Sequence, residues 1–263
     1  MLSRVSVGEA GRNPQMSNLA IEKHTLAVGD GTSMHAFVTR PAEKGSFPGM
    51  LVFQEAFGVN GHIRDVAQRI AHEGYVAIAP ELYHRTAPQG FEVPYDNFPA
   101  LMPHMKALTE QGLIDDVRAS YEWLRDSNHV THDRIGSIGF CMGGRVSFLA
   151  NSAVSLRASI SFYGGSIAPN LLPRTASLHG PMLFFWGGLD KHIPQEQIHS
   201  VIDAVKAANK PYINVEFSDA DHGFFCDARP TYNPAAAKEA WSLSLAFLQT
   251  HVKKAEERTL TAR

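Results

Sequence analysis

The sequence predicts an α/β fold, a mostly parallel central sheet with helices on both faces. Three observations carry this. Met50-Leu-Val-Phe53, Tyr75-Val-Ala-Ile-Ala79 and Met182-Leu-Phe-Phe-Trp186 are apolar on both faces and short, as central parallel strands are. Ile63, Val66, Ala67, Ile70 and Ala71 recur at i, i+3, i+4, i+7 and i+8, one stripe of a helix. Strand-like and helix-like segments then alternate along the chain with no internal repeat.

In chain order, residues 23–28 and 34–39 are extended runs joined by Gly29-Asp-Gly-Thr32, which predicts a hairpin at the sheet edge. The strand at 50–53 follows Pro48-Gly49, the first helix stops near Gly74, and Pro80 ends the strand at 75–79. Residues 85–105 carry Pro88, Pro94, Pro99 and Pro103 among several aromatics with no steady period. They read as an irregular excursion over the C-terminal edge of the sheet, where substrate walls occur. A helix over 113–125 follows, with Val117, Tyr121 and Leu124 inward, and then a strand at 134–138. Further strands are expected at 158–163 and 213–217 and a helix at 195–209. A last helix at 236–250 is expected to turn Trp241, Leu245 and Leu248 inward.

The chain has 263 residues, 44% hydrophobic and 19% charged, enough to bury a large core. Residues 1–20 read as a disordered leader in which Met16 is an alternative start, 21–252 as a single domain, and 253–263 as a polar tail. A formal net charge of −2 without basic or acidic runs gives no electrostatic case for nucleic acid or membrane surfaces. No apolar stretch approaches the ~18 residues a membrane span needs. The first fifteen residues lack the apolar core of a signal peptide. The two cysteines, Cys141 and Cys226, are too few for a disulfide scaffold, so a reduced cytoplasmic setting is expected.

Chemistry concentrates after the strands. Gly139-Phe-Cys-Met-Gly143 is the thiol form of a nucleophile elbow, a sharp turn that lifts one side chain above the sheet. Glycines two before and two after the nucleophile fit a turn where strand and helix crowd together. Cys141 would sit at a helix N-terminus, which favours a thiolate. Read alone, the pentapeptide also fits a buried cysteine before an ordinary helix. Asp190, in Gly187-Gly-Leu-Asp190, and His222, in Asp221-His-Gly223, each follow a strand as well. Nucleophile, acid, histidine is a known triad order, in which the histidine moves protons and the carboxylate orients it. His129-x-x-His132-Asp133 has no further ligand at useful spacing, and Gly-x-Cys-x-Gly-Gly lacks the Lys-Ser/Thr of a phosphate loop, so neither metal nor cofactor is expected.

Together, Gln54-Glu-Ala-Phe-Gly-Val-Asn60, Pro80-Glu-Leu-Tyr-His-Arg85, Gly139-Phe-Cys-Met-Gly-Gly144, Trp186-Gly-Gly-Leu-Asp190 and Asp221-His-Gly-Phe224 resemble the dienelactone hydrolase (carboxymethylenebutenolidase) family of the α/β-hydrolase superfamily. The resemblance spans about residues 25–250 and implies the α/β-hydrolase fold. It maps the triad onto Cys141, Asp190 and His222 and puts Glu55 beside the nucleophile. There a carboxylate would hold the thiol neutral until substrate binds and then take its proton. The amides of Met142 and Ala56 are expected to form an oxyanion hole. Arg85 matches one of the family's carboxylate-binding arginines. The position of the second is Cys226 here, with Arg229 three residues on as its substitute.

The resemblance implies hydrolysis of a small carboxylate-bearing enol-lactone through an acyl-thioester, without metal or cofactor, by a monomer or homodimer. The alternatives are a broad carboxylesterase or thioesterase and, from another class, a non-catalytic scaffold for ligand binding or thiol redox sensing.

Overall fold

The computed structural model describes residues 18–253. The expected start at Met16, most of the expected leader and the tail beyond residue 253 lie outside these residues. The last two positions assigned to the leader, Leu19 and Ala20, are already strand.

Eight strands form one sheet: β1 (Leu19–Ala27), β2 (Ser33–Pro41), β3 (Phe47–Phe53), β4 (Val76–Pro80), β5 (Val130–Phe140), β6 (Ser159–Phe162), β7 (Met182–Gly187) and β8 (Tyr212–Phe217). Their order is β1-β2-β4-β3-β5-β6-β7-β8. The expected hairpin is the antiparallel pair β1–β2 at one edge; β2 also runs antiparallel to β4, and the remaining pairings are parallel. Every residue of β4, β6 and β7 is buried, as continuous apolar strands covered on both faces should be. The chain passes from β3 out to β4 and then back across β3 to β5. The order therefore reverses between β3 and β5, and a crevice opens beyond their C-terminal ends.

Six α-helices cover the sheet: α1 (Gly61–His72), α2 (Phe98–Ala107), α3 (Glu110–Asp126), α4 (Met142–Ala153), α5 (Gln195–Ala207) and α6 (Pro234–Leu248). Helix α1 buries Ile63, Val66, Ala67, Ile70 and Ala71, the stripe visible in the sequence. It starts at Asn60, whose side chain accepts from the Ile63 amide, and gives way to Gly74 at φ +81°. Thr109 caps α3 and Asn233 caps α6 in the same way.

Alternate residues of β5 show the two layers. Ser137 hydrogen-bonds Ser147 of α4, whereas a side chain on Gly136 would meet Val252, just beyond α6. Helix α3 packs beside α4. Arg69 of α1 stacks 4.0 Å from the Trp241 ring of α6, so α1 and α6 share the other layer.

Two expectations need correcting. The excursion at 85–105 is not irregular throughout, because it runs into α2. Phe98, Leu101, Met102 and Met105 do recur at helical spacing, but Pro99 and Pro103 mask the pattern. Pro99 lies in the first turn, where a missing N–H costs nothing. The second correction concerns α6, which buries Ala236, Ala237, Ala240, Ser244, Phe247 and Leu248. Trp241 and Leu245 are only half-buried, Trp241 packing against the edge of the core.

Fully buried Leu101 holds α2 onto Ala56 and Phe57, the loop that follows β3. Leu101→Ala should lower the unfolding free energy by about 2–3 kcal/mol, read from a urea titration.

Candidate active site

Cys141 ends β5 and begins α4 within one residue, at φ 54° and ψ −117°. An L-residue adopts positive φ only when the surrounding structure enforces it. Here the close approach of neighbouring backbone does so. A Cβ on Gly139 would run into the Gly143 carbonyl. One on Gly143 would strike the Phe53 and Gln54 carbonyls at the end of β3. One on Gly144 would lie 2.7 Å from the Phe162 carbonyl of β6.

The thiol meets His222. Nε2 of the imidazole lies 3.1 Å from Cys141 Sγ, and Nδ1 lies 2.7 Å from Asp190 Oδ2. The other Asp190 oxygen accepts from the His192 and Ile193 amides at 2.7 and 3.3 Å, so both oxygens are occupied. The loops carrying the acid and the histidine are tied together: the Gly188 amide donates to the Phe217 carbonyl and the Leu189 amide to that of Ala220. Side chains on Gly187 or Gly188 would collide with this second loop.

Burial disfavours a charged imidazole at His222, but bonding to Asp190 and to Cys141, with their charges, outweighs it and raises the pKa to about 10. The imidazolium is thereby held well above the ordinary pH range of histidine.

Glu55, fully buried just past β3, is paired with Arg229, Nη1 to Oε1 at 3.2 Å, and its Oε2 has no partner. Sequence reasoning placed Glu55 against the thiol. In the structure Cys141 bonds His222, and one oxygen of the Glu55 carboxylate accepts from the Arg229 guanidinium. Gly223, at φ +80°, leaves room for that guanidinium, since a Cβ there would run into it. The elbow, Ala56, Met142, His222 and Arg229 all border one cavity of about 590 Å³. Phe57, Phe98, Met105 and Leu108 give it an apolar wall.

Arg85 is elsewhere. Its guanidinium donates to both oxygens of fully buried Asp116 at 3.0 and 2.8 Å, to Asp30 at 2.7 Å and to the Gly112 carbonyl at 3.3 Å. It is not among the residues lining the cavity. A buried carboxylate needs a counter-charge, and Asp116 takes this one together with His84 at 3.0 Å.

Two residues whose importance the sequence did not reveal hold the β3 loop. The Gln54 side chain accepts from the Leu82 amide and donates to the Glu55 carbonyl. The Tyr83 hydroxyl donates to the Ala56 carbonyl at 2.8 Å. Both lie in the quoted motif stretches, but their pairing joins two loops 27–28 positions apart and has no local signature.

Glu55, His62 and Cys226 bring donor atoms within 4.8 Å of one another, all buried. The set suits a metal poorly. Glu55 already faces Arg229 and the Cys226 thiol donates to Tyr95 at 3.1 Å. Burial, aided by the Glu55 charge, pushes that thiol up to about 11, which keeps it protonated.

Two outcomes are expected. Arg85→Met leaves Asp116 with His84 alone and should cost about 3 kcal/mol in urea denaturation. Since the His222 pKa is raised above its ordinary 6.5, its stabilising contribution is complete below that value and is lost as the pH rises through about 10. Asp190→Asn should therefore show a smaller loss of stability between pH 7 and pH 10 than the wild type, in paired denaturation series.

Residues 34–252 match the model of the dienelactone hydrolase family. A Synechocystis sp. protein named as a carboxymethylenebutenolidase is 37% identical over 232 residues, covering 82% of this chain and 92% of its own. A Salmonella typhimurium protein of the same name is 36% identical over 231 residues, covering 84% of each. Among solved structures, one from Klebsiella pneumoniae described as a dienelactone hydrolase superposes with a TM-score of 0.78 at 31% identity, covering 87% of this chain and 98% of that one. No helix among the described residues is long and apolar enough to cross a membrane. With its sheet order, its elbow and these relatives in agreement, the chain belongs to the dienelactone hydrolase family of the α/β-hydrolase superfamily and is a hydrolase.

Proposed function

We propose that this hydrolase of ester and lactone bonds works through Cys141 and an acyl-thioester, with a carboxylate-bearing enol-lactone as its substrate. The observation that carries the reading is the continuous chain Cys141 Sγ–His222–Asp190 at 3.1 and 2.7 Å, bordering an open cavity. The His222 imidazolium, its pKa raised, stands beside the sulfur and stabilises the thiolate once the thiol proton has left.

In the proposed cycle the thiolate adds to the carbonyl carbon. The oxyanion is held by the amides of Met142 and Ala56. Met142 is the first residue of α4, where helix amides lack intrahelical acceptors, and Ala56 is fixed from behind by Tyr83. The C–O bond breaks, His222 protonates the leaving oxygen, and the acyl group stays on sulfur. Water then attacks the thioester with His222 as base, the acid is released, and the sulfur takes its proton back from Glu55. Glu55 is the proposed acceptor of the thiol proton when substrate binds, a role supported by its burial beside the elbow and its unpartnered Oε2.

A second reading, a broad carboxylesterase or thioesterase, is favoured by the apolar wall, which offers more contact than a single small lactone ring can use.

Turnover of cis- and trans-dienelactone against p-nitrophenyl acetate separates the two readings; activity on the acetate ester alone would leave only the broad one. Cys141→Ala should lower kcat on the order of 10⁴-fold, and acid-quenched mass spectra of the wild type should show an acyl adduct on Cys141. If Cys141→Ala retained full turnover, the thioester route would fall. Glu55→Gln should slow acylation in a pH-dependent way, and full turnover across pH would remove that role.

A further inference from the structure

We propose that Arg145 is the specificity-determining residue of this site, holding an anionic group, a carboxylate in the first instance, carried by the ester or lactone. This deepens the hydrolytic reading above and rests on it for the identity of the substrate, though not for the existence of the anion site.

Arg145 stands one helical turn after the nucleophile on α4, its amide 3.4 Å from the Cys141 carbonyl oxygen, and it lines the same cavity. Its side chain makes no hydrogen bond or ion pair among the described residues, and its Nε is buried without a partner. Burial pulls its pKa below the ordinary value, and Glu110 supplies the opposing charge. Glu110 is paired instead with Arg174, which donates to its Oε1 from Nε at 2.7 Å and lies 2.6 Å from the same oxygen through Nη2.

The two arginines expected from sequence to hold a substrate anion are already engaged. Arg85 is spent on Asp116 and Asp30 outside the cavity. Arg229 lines the cavity but faces Glu55. No aspartate or glutamate lines the cavity, whereas Arg145, Arg229, His192 and His222 do. Its Nε is the buried part of a half-buried side chain, and a ligand carboxylate gripped by the planar fork of donors would give that N–H an acceptor and the charge a partner. Arg145 is thus the arginine of the cavity left without an ion-pair partner among the described residues, one turn of helix from Cys141.

Two measurements test this. The first needs no turnover: alkylation of Cys141 by iodoacetate and by iodoacetamide, which differ in charge, is followed on the Cys141 peptide by mass spectrometry. The iodoacetate-to-iodoacetamide rate ratio should fall about 10-fold in Arg145→Met and in Arg145→Gln, with Arg145→Lys between them and the wild type.

The second compares dienelactone with 4-methylenebut-2-en-4-olide, a lactone ring without the carboxylate. The ratio of their kcat/KM values should fall on the order of 100-fold in Arg145→Met. Arg85→Met should keep both ratios. An unchanged alkylation ratio in the two neutral variants overturns the proposal, and so does an equal loss on both lactones. If the wild type hydrolyses neither lactone while the alkylation ratio falls, the anion site stands and the enol-lactone reading fails.

Discussion

At the end of β5 the chain turns into α4 within a single residue, and it can do so only because three positions around that residue carry no side chain. Gly139, Gly143 and Gly144 let the first turn of the helix press against the carbonyls that end β3 and β6. That contact holds Cys141 at positive φ and fixes where its sulfur stands. It also fixes Met142 as the first amide of α4, and it brings α4 against the stretch of Phe53 and Gln54 that leads into Glu55 and Ala56. The proposed nucleophile, the proposed oxyanion donors and the neighbouring carboxylate all take their positions from this one close approach.

The second organising feature is how charge is settled around the crevice. Each buried acid has a partner: Asp190 has His222 and two amides, Glu55 has Arg229, and Asp116 has Arg85 and His84. These pairings fix the His222 imidazole and anchor the loops beyond β3 and β4. They also absorb two of the arginines that the family resemblance would offer to a substrate, and Arg145 stands out because no carboxylate does the same for it. The proposed attraction for an anion would therefore be a property of the whole set of pairings.

Much of the architecture was legible along the chain, for reasons that differ by element. The strands β3, β4 and β7 announce themselves because burial on both faces demands continuous apolar runs. Helix α1 does so because its stripe and its Asn60 cap are both local. Helix α2 was hidden because two prolines outweigh a short apolar stripe in any local reading, whereas Leu101 packing under Ala56 and Phe57 decides the outcome. In α6, size misled the eye. Trp241 looks like a core residue, but the indole is half-buried, packing on the core's edge while Arg69 lies over its ring at the seam with α1.

The site divides along the same line. The sequence by itself determined the elbow, the order Cys141, Asp190, His222 and the strand-end position of each, because glycine spacing and apolar runs are written locally. Only the tertiary structure decided which charges meet. That Arg85 pairs with Asp116, that Glu55 pairs with Arg229, and that Arg145 is left without a partner among the described residues all depend on segments tens to nearly two hundred residues apart. Ion pairing acts over a few ångströms in space and is indifferent to separation along the chain, so no local pattern could have carried it.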